Sequence, residues 1–119
     1  MHSVLQQAYG AEMKAAMERH HANALDQAFT HLERAHILGQ SFSVAHARTH
    51  RWMLKVGWRC RDFVEIAGQL PRILGALLFS RMWVPIGNTG GARVPPFKSM
   101  PIPEDLRTVL EKYGRHSGT

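Results

Sequence analysis

Four side chains that commonly bind metal ions fall on the apolar faces of three predicted helices in the first half of the chain. They are one carboxylate, Glu12, and three imidazoles, His36, His46 and His50. A core-facing position is normally apolar, because burying an unpaired polar group costs on the order of a few kcal/mol. Four such groups therefore predict a polar site inside the protein, although they do not specify its activity.

His46 and His50 form an H-x-x-x-H pair. Residues four apart lie one above the other on a helix, so both imidazoles can reach one ion. Zinc, iron and copper all accept imidazole ligands. The alternative is that the pair lies at the surface or is satisfied within the core.

Glu33 and His36 form an E-x-x-H pair, a spacing that occurs in helical bundles with carboxylate-bridged metals. A full two-metal site needs two such motifs, and this chain has one. A single ion held by three or four side chains is therefore favoured, with Glu12, His46 and His50 as the other candidates. The alternative is that Glu33 is solvated and His36 donates to a backbone carbonyl.

Glu12 discriminates best between these interpretations. A carboxylate in the middle of an apolar stripe must be paired, protonated or bound to a metal. Without a metal, its partner would be an arginine or a core histidine, for example in a Glu12–His50 hydrogen bond.

Hydrophobic periodicity predicts four helices that must position these groups, followed by an irregular arm. Ser3 and Asp62 begin capping boxes, Asn23 is a predicted N-cap and Gly39 a predicted C-cap. The predicted helices span about residues 3–20, 24–38, 44–58 and 62–80, the arm spans 81–103, and a short helix spans about 103–113.

The fourth predicted helix has the strongest apolar stripe, and Pro71 predicts a kink in it. Such a stripe is expected to face the core. Its members are Phe63, Ile66, Ala67, Leu70, Ile73, Leu74, Leu77 and Leu78.

The arm is rich in proline and glycine but also carries large apolar residues, which predicts that it is ordered and packs across the helices. Gly87–Gly91 predicts a tight turn in which glycines supply positive φ, with an anion-binding nest of amides as the alternative. The residues expected to pack are Trp83, Val84, Phe97 and Met100.

The length of 119 residues fits one domain spanning 1–119. A single cysteine excludes a disulfide within the chain and a cysteine-rich metal site, and a reducing cytoplasm is the simplest setting. The apolar stretch at 73–79 is too short to span a membrane. No spacing supports a Ser-His-Asp or Cys-His catalytic arrangement, so enzymatic activity has no positive support.

A cationic stripe lies on the opposite face of the third helix from its histidines. Together with the net charge of +6, it favours an acidic partner or an anion. No nucleic-acid-binding fingerprint accompanies it, and many charged helix faces are simply solvated. The stripe consists of Arg48, Arg51, Lys55 and Arg59.

The strings HLERAHILGQ (31–40) and P-x-GNTGGA (85–92), in fixed order, resemble an uncharacterised family of short bacterial proteins known as a domain of unknown function. The resemblance covers roughly residues 5–110. It implies an all-helical bacterial protein, sometimes encoded near heavy-metal resistance functions, with no established activity and no catalytic residues. The helix at 24–38 is also faintly similar to a tetratricopeptide-type helix.

The sequence thus predicts an all-α, four-helix bundle-like domain with an ordered C-terminal arm. The leading hypothesis is a small intracellular protein that binds a transition-metal ion (zinc, iron or copper). The alternative is a non-enzymatic interaction module that docks an acidic partner through the cationic stripe. The candidate ligands are Glu12, Glu33, His36, His46 and His50.

Overall fold

The computed structural model describes residues 1–79, 87–95 and 98–114. Within these ranges the regular secondary structure is entirely helical, which confirms the all-α prediction. The five helices are α1 (Ser3–His21), α2 (Leu25–Gly39), α3 (Ser43–Cys60), α4 (Phe63–Phe79) and α5 (Glu104–Tyr113).

The helices pack mainly against their neighbours in sequence. α1 packs on α2, α3 lies between α2 and α4, and α5 rests against α1 and α2. Apolar side chains from α1, α2, α3 and α5 form the core, including Leu5, Met13, Leu32, Met53 and Leu106. No helix in the described part of the chain is long and apolar enough to cross a membrane.

The helix ends differ in part from the predicted caps. Nδ1 of His2, rather than the Ser3 hydroxyl, accepts the N–H of Val4 at 3.1 Å. Ala24 follows Asn23 as the cap of α2, and Gly39 is the last residue of α2 itself. Asp62 does cap α4, since its Oδ1 accepts the N–H of Glu65 at 3.2 Å.

Gly39 is required for close packing. A Cβ at this position would lie 2.9 Å from Cε2 of Tyr9. The ring of Tyr9 therefore sits directly over the end of α2. Its hydroxyl donates to the carbonyl of Ala45 at 2.8 Å, so the same side chain ties α1 to α3.

The expectation that the apolar stripe of α4 faces the core is wrong for most of the stripe, although Ile66 and Ile73 are partly buried. The buried side chains of α4 are Glu65, Gln69 and Ala76, whereas Phe63 is 72% exposed and Leu74 is 60% exposed. The reason is that α4 turns its polar side towards α3 and the histidine residues there, which need hydrogen-bonding partners inside the fold.

The described part of the arm packs on the inward side of α4. The amide of Ala92 donates to the carboxylate of Glu65, and Arg72 donates to the carbonyl of Val94 at 3.0 Å. Met100 is partly buried. The other three residues expected to pack, Trp83, Val84 and Phe97, lie outside the described residues.

Candidate metal centre

Three imidazoles from two helices converge at one point, which we call the histidine cluster: His36 of α2 with His46 and His50 of α3. Nε2 of His36 lies 2.9 Å from Nε2 of His46 and 3.2 Å from Nε2 of His50. One ligand atom from each residue falls within 4.8 Å of the others. His36 and His50 are buried, while His46 is partly exposed.

The turn between α2 and α3 explains how the cluster forms. Only residues 40–42 separate the two helices, so the last turn of α2 lies beside the first turns of α3. His36 therefore meets His46, and the four-residue spacing on α3 adds His50 on the same face.

The backbone determines which nitrogen of His36 faces the cluster. Its Nδ1 lies 2.7 Å from the carbonyl oxygen of Asn88. A carbonyl can only accept, so Nδ1 carries the hydrogen of the neutral ring. Nε2 is then an unprotonated lone pair directed at the other two rings.

Gln69 has the same effect on His50. The amide nitrogen of Gln69 donates to the carboxylate of Glu65 and, at 3.0 Å, to the carbonyl of Gly90. Its Oε1 therefore faces Nδ1 of His50, 2.5 Å away, and accepts from it. Nε2 of His50 is thus also a bare lone pair, and it faces Nε2 of His36 with no hydrogen between them.

The environment keeps the three imidazoles neutral. Burial, reinforced by the two neighbouring imidazoles, holds the pKa of His36 well below its usual value. Burial, reinforced by the neighbouring imidazole of His50, lowers the pKa of His46 to about 3. Burial lowers the pKa of His50 to about 4, although its bond to Gln69 acts in the other direction. At neutral pH the lone pairs are therefore available to an ion.

The cluster fits a transition-metal ion in both geometry and donor type. Zinc–imidazole bonds of about 2.0–2.1 Å in a tetrahedron place the nitrogens roughly 3.3 Å apart, close to the two separations measured from Nε2 of His36. Histidines that bind metals usually donate their other N–H to a carbonyl or carboxylate. His36 and His50 both have such an acceptor, on Asn88 and Gln69. His36 can therefore donate to a backbone carbonyl through Nδ1 and bind a metal through Nε2, so the two interpretations of this residue are compatible.

The structure places Glu12 in a different environment. Its carboxylate accepts from Nε of Arg34 and pairs with Nδ1 of His31, each at 2.9 Å. Arg34 also reaches Asp105 on α5. Glu12 thus joins α1, α2 and α5, and its partner is an arginine, as the metal-free alternative expects.

Glu33 lies one turn before His36 and is half-buried. Burial raises the pKa of its carboxyl group, and the nearby charge of Glu65 adds to this effect. Neither Glu12 nor Glu33 is among the three residues that the described structure brings together as possible ligands.

Sequence reasoning missed Glu65, Gln69 and Asn88, which hold the cluster in place. The first two are four residues apart on α4, opposite its apolar stripe, so their shared face was a usable signal. Asn88 is 2% exposed. Its side chain donates to the carbonyls of Pro95 and Lys98, both at 2.8 Å, and accepts from the amide of Gly90 at 2.9 Å.

The predicted glycine turn is present and covers the cluster. Gly87 and Gly90 have φ of 80° and 84°. A Cβ on Gly90 would lie 2.5 Å from Cδ2 of His36. Glycine is therefore needed here both for its conformation and for the close approach of the backbone to the ring.

Fold and cluster together define an all-helical protein with three converging imidazoles, two buried and one partly exposed, that could hold a metal ion. The chain belongs to the family DUF3703, described as a protein of unknown function, which matches residues 3–110. No curated protein and no solved structure matches the chain.

Proposed function

We propose that this protein binds a single transition-metal ion through Nε2 of His36, His46 and His50. The observation that carries the proposal is the meeting of two bare lone pairs at 3.2 Å, on His36 and His50, beside a third imidazole. Without a cation, these lone pairs repel each other in a buried setting. A shared metal ion turns the same arrangement into three bonds.

The donor set favours borderline metals. Three neutral imidazoles suit zinc, copper, iron and nickel, whereas magnesium and calcium prefer oxygen ligands. The buried carboxylate of Glu65, linked to His50 through Gln69, supplies nearby negative charge for a dication. The two nitrogen separations from His36 are close to those of a tetrahedral zinc site.

Because His46 is partly exposed, the site is accessible to solvent on that side, and an ion can enter and leave there. We propose a role in handling a metal ion rather than in catalysis. The single cysteine favours the cytoplasm as its setting, and the family resemblance implies a link to heavy-metal resistance. Glu12 and Glu33 remain predicted ligands, and Glu12→Gln and Glu33→Gln in the same titration test them.

The test uses tag-free, metal-depleted protein titrated with Zn²⁺ in a calorimeter and with Co²⁺ by visible absorption. Wild type should bind one ion at micromolar or tighter affinity, with a tetrahedral cobalt spectrum. His46→Ala with His50→Ala should abolish binding. His31→Ala is the matched control, because His31 lies on α2 outside the cluster and should leave binding unchanged. Equal, weak binding by all three proteins would refute the proposal.

A second candidate function is docking of an acidic partner on the cationic stripe of α3. All four of its residues are exposed, on the side of the helix away from the buried histidines. The ammonium of Lys55 lies 4.2 Å from the ring of Trp52, and Arg59 donates to Asn23 at 2.9 Å. These contacts hold two of the cations in fixed positions on the surface.

Polyglutamate at low salt is a suitable probe for this second candidate. Arg51→Glu with Lys55→Glu should weaken its binding, and added salt should weaken binding to wild type. Metal affinity should not change in the variant. If polyglutamate binds both proteins equally, the stripe is a solvated surface only.

A further inference from the structure

α4 is amphipathic in the opposite sense to the one expected for a core helix. Its two charged residues, Glu65 and Arg72, both turn inward. Glu65 bonds to Gln69 and Ala92, and Arg72 bonds to the carbonyls of Gly68 and Val94. The polar side of the helix is thus occupied by the arm and by the support of the histidine cluster.

The outward side of α4 carries an apolar seam with a regular spacing of four, three, four and three residues. This is the spacing of the a and d positions of a coiled coil, which form one straight line along a helix. All members of the seam are exposed. They are Phe63 (72%), Ala67, Leu70 (56%), Leu74 (60%) and Leu77 (51%), with Leu78 (60%) on the flank.

The apolar area of the seam is larger than that of the single apolar residues found on most protein surfaces. Five large side chains, each more than half exposed, present roughly 400–500 Å² of contiguous apolar surface, which is at the level that marks an interaction site. Each partner of a standard protein–protein interface contributes about 800 Å². The seam by itself supplies roughly half of that area or slightly more.

We propose that the seam is a homodimer interface, in which α4 of one copy packs against α4 of a second copy about a twofold axis near Leu70. The side chains of a heptad seam can interlock with those of another helix. In a twofold dimer the same surface of each copy forms the interface, so the seam of one copy would pack against the seam of the other. Because the seam carries no charge, two copies with a net charge of +6 each can meet there without placing like charges in contact.

A lipid surface suits the seam less well. Helices that lie on membranes carry lysine and arginine on their polar face, ready to meet lipid headgroups. The polar face of α4 is instead buried against its own protein. The proposal is independent of metal binding, since the seam lies on the side of α4 opposite Gln69.

The test is the mass of the full-length protein by sedimentation equilibrium at micromolar concentrations. Wild type should be a dimer of 13.5 kDa chains. Leu70→Glu with Leu74→Glu should be a monomer with an unchanged helical circular dichroism spectrum, because both side chains are exposed within one copy. Its melting temperature should fall only by the stabilisation that dimerisation adds, and should not depend on protein concentration. Val44→Glu, at a 76% exposed position on α3, is the matched control and should remain a dimer.

Cysteine cross-linking provides a second measurement. In a Cys60→Ser background, Leu70→Cys should form a disulfide-linked dimer rapidly. Val64→Cys should not, because it lies more than one helical turn from the proposed twofold axis. A monomeric wild type overturns the proposal, whether or not it binds neutral or anionic vesicles. If wild type is monomeric and the double variant melts at a lower temperature than wild type, the seam is covered by the chain itself. That result also overturns the proposal.

Discussion

Gln69 of α4 accepts a hydrogen bond from Nδ1 of His50 on α3, and this single contact determines the direction of the His50 lone pair. The orientation of the Gln69 amide is determined in turn, because its nitrogen donates to Glu65 and to the carbonyl of Gly90. A helix without any proposed ligand thereby aligns one of the three imidazoles of the cluster.

We therefore expect Gln69→Leu to weaken Zn²⁺ binding by about 10- to 100-fold, the usual effect of losing an outer partner of a metal ligand. Nδ1 of His50 would lose its acceptor, and the ring would no longer be held in one orientation. Calorimetric titration measures the change.

Thr49→Val is the control for this variant, since it removes two other hydrogen bonds on α3, one with Ala45 and one with Tyr9. It should cost about 1 kcal/mol of stability and leave the zinc affinity unchanged. If both variants weakened binding equally, the role assigned to Gln69 would be wrong.

Gly90→Ala should weaken metal binding and lower the melting temperature together. Its Cβ would collide with the ring of His36, and φ of 84° is strained for alanine, at a cost on the order of 1–3 kcal/mol. Gly10→Ala is the matched control, because its Cβ meets no atom within 4 Å in the interior of α1. That change should stabilise the protein by up to about 1 kcal/mol. Unaltered zinc affinity in Gly90→Ala would show that the turn does not support the cluster.

The metal-depleted protein should lose stability as the pH falls below about 6.5. The pKa of each clustered histidine is lower in the folded state than in the unfolded chain, as for His46 at about 3 and His50 at about 4. The unfolded chain therefore binds more protons in this range, and each histidine costs at most about 1.4 kcal/mol per pH unit.

Urea denaturation of the metal-depleted protein at several values between pH 7 and pH 5 measures this slope. His46→Gln should make it shallower, while His21→Gln, a change at an exposed position, should not. A stability that is constant down to pH 5 would contradict the lowered pKa values of the three histidines.

Glu12→Gln should lower stability by about 1 kcal/mol and leave zinc affinity unchanged. The variant weakens the contacts with Arg34 and His31 that join α1 to α2, whereas the cluster lies elsewhere. Denaturation and calorimetry on the same preparation separate the two effects. A tenfold loss of zinc affinity would instead support Glu12 as a ligand, as its sequence position suggested.

Some features of the site follow from local sequence. The four-residue spacing of His46 and His50 places them on one face of a helix wherever that helix packs, and a three-residue turn brings His36 beside them. The glycines of the 87–91 turn likewise predict positive φ, because the requirement lies in the backbone of those residues alone.

Other features depend on which element packs against which. A stripe such as Phe63–Leu77 shows that a helix has an apolar side, but periodicity does not show whether that side meets its own core or lies outward. Likewise, a carboxylate in an apolar stripe, such as Glu12, needs a partner. Only the packing of α1 against α2 made Arg34 that partner. The partners of His36 and His50 come from residues 52 and 19 positions further along the chain. The sequence by itself determined the helices and the imidazole pair, whereas the tertiary structure decided which nitrogens face inward, because that depends on acceptors brought close only by folding.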